Sequence, residues 1–156
     1  MTLVECLIAL TILPLAVVAV SYAVTSGQMQ SVESLRSVRA AALADALLEE
    51  ILSKSYSEPG GGNPPLGKDT GETTRPTFDD MDDYHNYTEA AGALRDATQT
   101  LYAGEYQRFS RAVACTSATA ALSGLGPAVQ GLYVTVTVGE AGATLVTVTR
   151  FVPRPS

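Results

Sequence analysis

The chain has 156 residues, enough for one globular domain beside a long helix. Its net charge of −6 excludes a general nucleic-acid binder, which needs a basic patch. His85 is the only histidine and the two cysteines, Cys6 and Cys115, stand far apart, so neither a His/Cys metal spacing nor a disulfide framework is available.

The first 24 residues, MTLVECLIALTILPLAVVAVSYAV, are almost wholly apolar, with Glu5 near the start. A helix of ~20 residues spans the ~30 Å hydrocarbon layer of a bilayer, and an ionised carboxylate there is costly unless it finds a partner. A secretory signal peptide would open with basic residues, yet no Lys or Arg precedes Arg36. A short basic leader removed ahead of Met1 would account for that absence, and would leave Glu5 beside a charged α-amino group.

The helical period continues past the apolar run. Over residues 28–54, Val32, Leu35, Val38, Ala42/Leu43, Ala46/Leu47 and Ile51 recur at i, i+3/i+4, i+7, while Glu33, Arg36, Asp45, Glu49 and Glu50 tend to the other side. One helix over residues 1–54 follows, about 80 Å long at 1.5 Å per residue. Residues 1–24 form its membrane or filament-core part and 25–54 an amphipathic part laid against its own domain. Pro14 removes one N–H from the ladder and crowds the carbonyl of Leu10, and Ser21, Thr25 and Gly27 weaken the next turns. A kink or a locally unwound segment is expected within 10–24.

Met1-Thr2-Leu3-Val4-Glu5 followed by an apolar run resembles the mature start of type IV pilins and of type II secretion pseudopilins. In that family a prepilin peptidase cuts after a leader glycine and N-methylates residue 1, and Glu at the fifth mature position is the signature. The resemblance implies a pilin fold, α+β, with the long N-terminal helix packed on a small antiparallel β-sheet. It implies residence in the inner membrane before assembly, then in an extracellular filament on the bacterial surface. The partners would be copies of the chain or related pilins, with the prepilin peptidase and the pilus assembly machinery. Glu5 would pair with the α-amino group of Met1 in the same or an adjacent subunit and so set register. The alternative is that Glu5 serves only recognition by that machinery. Many pilins close a loop near the C-terminus with a disulfide; this chain departs from that pattern, and both thiols are expected to be small buried hydrophobes.

Residues 55–156 are expected to form the globular head. Residues 57–77 hold five glycines and four prolines and read as a surface loop. Residues 69–96 carry eight acids against Arg75 and Arg95, while the rest of the chain balances. Asp79, Asp80, Asp82 and Asp83 crowd within five positions. Such clustered oxygens suit Ca²⁺, though the spacing is not that of an EF-hand; the alternative is a solvated turn with capping or surface ion pairs. No other cofactor is suggested. Asn86-Tyr87-Thr88 fits the N-glycosylation pattern, a match that arises often by chance.

Residues 106–116 read as a strand of uncertain face and 117–129 as a loop. Leu132, Val134, Val136 and Val138 alternate with Tyr133, Thr135 and Thr137, a period of two. A turn at 139–142 leads to a return strand over 144–152, which Pro153 stops. There is no nucleophile elbow and no phosphate-cradling glycine loop, and nothing sets His85, between Tyr84 and Tyr87, beside a nucleophile. The chain is read as a structural subunit rather than an enzyme. It would serve a type IV pilus-like filament or, alternatively, a pseudopilus of type II secretion or DNA uptake. A membrane-anchored Ca²⁺- or ligand-binding module is the third reading.

Overall fold

A computed structural model describes residues 2–58, 66–121 and 128–155. Met1, part of the 57–77 loop and part of the 117–129 loop lie outside the described residues. The chain divides into two compact units, Met1–Val38 and Arg39–Ser156.

From Leu3 on, the first unit lies within helix α1, which spans Leu3–Leu52. It is helical throughout, Pro14 included, so no unwound segment occurs within 10–24. The hydroxyls of Thr11, Ser21 and Thr25 donate to the carbonyls of Ile8, Val17 and Ser21 at 2.8–2.9 Å, and so stay inside the ladder instead of opening it. One missing N–H in an otherwise saturated helix does not break it.

The second unit is an α+β arrangement: the end of the long N-terminal helix packs on a four-stranded antiparallel sheet. Strands β1 (Thr88–Glu89), β2 (Phe109–Ala120), β3 (Val129–Glu140) and β4 (Ala143–Pro153) lie side by side in chain order. Short 3₁₀ turns at Arg75–Thr77, Asp82–Tyr84 and Gly104–Tyr106 link them to the helix. Ala40, Leu43, Ala44, Leu47, Leu48 and Ile51 are buried together with Phe109, Val113 and Cys115 of β2 and Leu132, Val134, Val136 and Val138 of β3. Edge-on contacts among Phe78, Tyr84 and Tyr87, with centroids 5.0–5.9 Å apart, close the core where the helix ends.

Several expectations are refined here. The buried helical stripe begins at Ala40; Val32, Leu35 and Val38, expected to lie against the domain, are more than half exposed, and Ala42 and Ala46 are exposed too. β2 runs on to Ala120, through residues expected to be loop, because each of its residues has a partner on β3 out to Ala120↔Val129. The turn between β3 and β4 is two residues, Ala141 at φ +51° and Gly142 at φ +83°, the pair of left-handed conformations that matches strand twist. Gly131 is required for a different reason: a Cβ there would lie 2.4 Å from the Val152 carbonyl oxygen and 2.5 Å from the Phe151 ring.

Burial separates the two parts of α1 in a measurable way. Leu47→Ala removes a fully buried side chain and is expected to lower head stability by about 2–5 kcal/mol. Leu35→Ala removes an exposed one and should change it by less than about 0.5 kcal/mol. Thermal melts of the full chain in detergent, followed by the tyrosine signal of the head, compare the two.

Candidate functional site

The N-terminal unit is the first candidate. Thr2 and Glu5 close the start of α1 reciprocally: the Thr2 N–H donates to Glu5 Oε2 at 2.7 Å, and the Glu5 N–H donates to Thr2 Oγ1 at 3.4 Å. This is a capping box, and the Thr-x-x-Glu spacing that announces it is present in the sequence, a role for Glu5 besides the charge pairing or machinery recognition expected of it. Beyond the cap, large apolar side chains from Leu3 to Val38 are half or more exposed, among them Leu7, Leu10, Leu13, Leu15, Val18, Tyr22, Met29 and Leu35. Ala9, Leu10, Leu13, Pro14 and Val17 line a shallow apolar hollow on one side. Cys6 is exposed on this helix, against the expectation that both thiols are buried, whereas Cys115 is buried. By length and composition α1 can cross a membrane.

The second feature lies inside the head, where four charges alternate along one buried chain. Glu50 of α1, at the position where the periodicity sent it outward, accepts from Arg75 Nε at 2.7 Å and from the Tyr84 hydroxyl at 2.8 Å. A second bond joins Arg75 Nη2 to Glu50 Oε2. Arg75 Nη1 donates to Glu89 Oε1 at 2.9 Å, and Glu89 Oε2 accepts from Arg111 Nε at 2.6 Å. Both arginines also donate to the Arg95 carbonyl, and Arg111 reaches the Leu43 carbonyl at 3.3 Å. The side chains of Arg75, Glu89 and Arg111 are at most 5% exposed. Two negative and two positive charges cancel, and their oxygens and N–H groups are used, which is the condition for burying ions at tolerable cost.

Burial alone pushes the Glu50 carboxyl up, but the bonds from Arg75 and Tyr84 outweigh it and hold the group below its usual range. Burial likewise pulls Arg75 down while Glu50 more than restores it, and burial followed by Glu50 pushes the Tyr84 hydroxyl up. Glu50 and Arg75 therefore stay charged at neutral pH. Arg75 belongs to the stretch read as surface loop; it is buried because its 3₁₀ turn aims it at Glu50 and Glu89.

The acidic stretch 78–87 is mostly occupied with its own backbone. Asp83 Oδ2 accepts from the Asp79 and Asp80 N–H groups at 3.0 and 3.1 Å, and Asp80 Oδ1 accepts from those of Asp82 and Asp83 at 2.8 and 3.2 Å. Asp82 Oδ2 accepts from the Gly67 N–H at 3.1 Å. The four aspartates read as one ligand set do not converge. Oxygens of Glu72, Asp79 and Asp83 do, within 4.8 Å of one another, a grouping that acidic surfaces often show without an ion.

Its clearest consequence is protonation. The hydrogen bond with Asp83, followed by burial, pushes the Glu72 carboxyl up to about 7. Burial and the neighbouring Asp82 push Asp80 up to about 7. His85 accepts the Cys115 N–H at Nδ1 (3.1 Å) and so helps to hold β2. Burial, then Asp82 and Asp80, push the Cys115 thiol up to about 12, so it is inert at neutral pH. Asn86 sits at φ +61°, its N–H bonded to the Val113 carbonyl. No family model, curated protein or solved structure matches the chain.

Two outcomes are expected. Arg75→Met strips Glu50 of its arginine and leaves Glu89 with Arg111 alone, and should cost about 3–5 kcal/mol in thermal or urea unfolding. For Glu72 and Asp80 the folded value lies above the unfolded one, so their contribution is fully present below about pH 4 and is lost as pH rises through about 7. Glu50 has the opposite sign and loses its contribution as pH falls below its usual range. The head should therefore melt at lower temperature at pH 8 than at pH 5.5. Asp80→Asn keeps the oxygen that accepts the two N–H groups and removes the charge. It should raise the melting point at pH 8 and leave it unchanged at low pH; an unaltered pH profile would contradict this origin.

Proposed function

We propose that the chain is a structural subunit of a bacterial type IV pilus-like filament, assembled through the apolar part of α1 with copies of itself or of related chains. The supporting observation is the run of uncovered apolar side chains from Leu3 to Val38 on a continuous helix. At ~1.5 Å per residue that segment is about 54 Å long, well beyond the ~30 Å a bilayer core covers. Lipid accounts for the first part; Met29, Val32, Leu35 and Val38 extend the apolar surface further along, and neighbouring helices of the same kind would cover both. Burial of the part that lipid leaves uncovered supplies a drive of ~25 cal/mol per Å², while the part drawn from lipid gains close packing instead.

Before assembly the helix would sit in the inner membrane, and processing at Met1 by a prepilin peptidase belongs to the same reading. Glu5 then has two tasks, closing the helix start with Thr2 and meeting the α-amino group of Met1 in its own or a neighbouring chain. A buried pair adds little net strength but makes a wrong register cost about 3–5 kcal/mol, because the acid is then left alone.

Glu5→Gln separates the two tasks, since glutamine preserves a capping box and carries no charge. The variant should insert into membranes and keep its helix start, yet enter sheared surface filaments at no more than about a tenth of the wild-type level. Filament yield equal to wild type would reject charge pairing as the register device.

A further inference from the structure

We propose that the heads of neighbouring copies meet through the open β4 edge of one and the acid flank of the other, an asymmetric contact held by opposite charges. This rests on the reading of the chain as one that assembles with copies, but concerns a surface separate from α1.

β4 is the last strand of the sheet, bonded to β3 on one side and to no strand on the other among the described residues. A long bare edge of this kind invites pairing unless something governs what approaches it. Arg150 on it and Arg154 just beyond its end are exposed, in the alternation shared with Val148 and Val152, and neither has a carboxylate within ion-pair distance among the described residues. The like charges work against pairing two β4 edges with each other.

The opposite charge lies across the sheet. Asp80 and Asp82 lie close enough to Cys115 of β2 to act on its thiol, and the Met81 carbonyl accepts from that Sγ at 3.5 Å. Glu58, Asp69, Glu72 and Asp79 crowd beside them and act on one another electrostatically; Asp79 is exposed and Glu58, Asp69, Glu72 and Asp82 half-buried, while Asp80 and Asp83 lie buried beneath. β2 and β4 are two strand spacings apart, about 10 Å, which matches or exceeds the screening length of ~8–10 Å at ordinary salt. Among the described residues no ion pair joins these arginines to these acids within one head. A second head brings its acid flank directly against β4, and because the two surfaces differ the contact repeats head to tail.

The test uses the full chain in detergent, with association followed by sedimentation velocity at about 50 mM and about 500 mM salt. Wild type should associate at low salt and come apart at high salt. Arg150→Glu/Arg154→Glu and Glu58→Lys/Asp79→Lys should each associate at least about tenfold more weakly alone, and an equimolar mixture of the two should recover wild-type association. Should either reversal lower the melting point, Arg150→Gln/Arg154→Gln takes its place and must weaken low-salt association. Absence of low-salt association in wild type, single variants that behave as wild type, or a mixture no better than its components would each overturn the contact. Salt-independent association that Glu5→Gln removes reports on α1 instead, so failure of the filament reading is distinguishable from failure of this one.

Discussion

The alternating chain Glu50–Arg75–Glu89–Arg111 is the constraint on which the head depends. It ties the last turn of α1, the 3₁₀ turn at Arg75, the short strand β1 and the central strand β2 into one object. A core of leucines and valines alone would accept small slides of the helix over the sheet, since apolar contact is non-directional. Four charges in fixed sequence accept only one position, because a slip of one turn would leave at least one ion buried without its opposite. The head can thus keep one position on the last turns of α1, although its sheet is small and its connections are long.

How much of this was legible in the sequence depends on the kind of signal. The valines at 132–138 and the return strand gave the hairpin, because a two-residue period with a tight turn has few other readings. The long helix was equally clear. Its domain-facing stripe was placed too early, since Val32, Leu35 and Val38 carry the same period as Leu43 and Leu47; periodicity locates an apolar face but not what covers it. Strand β1 is two residues long and has no pattern to read. β2 is longer than its sequence suggests, because serine, threonine and alanine in 117–120 look like loop while pairing with β3 holds them extended.

The charge chain was illegible for a physical reason. Its members are 25, 14 and 22 positions apart, and an isolated Arg or Glu is read as solvated until a partner is seen. Glu50 even fell on the polar side of the helical wheel. The aspartates at 79–83 were conspicuous by contrast, and their density suggested a metal; in the fold Asp80 and Asp83 are spent on backbone N–H groups, and the convergent set draws in Glu72 instead of Asp80 and Asp82. The Thr2–Glu5 cap could have been found from spacing alone.

The central claim is that chains of the same kind cover the exposed apolar part of α1. Cys6 offers a direct handle, being exposed on that helix while Cys115 is buried and unreactive. A spin label attached at Cys6 of the separate chain in detergent and carried into filaments on assembly should show dipolar broadening between chains at separations of roughly 10–20 Å, as expected for helices packed ~8–10 Å apart and staggered along their axes. Filaments in which the label reports isolated, solvent- or lipid-exposed chains would contradict the account.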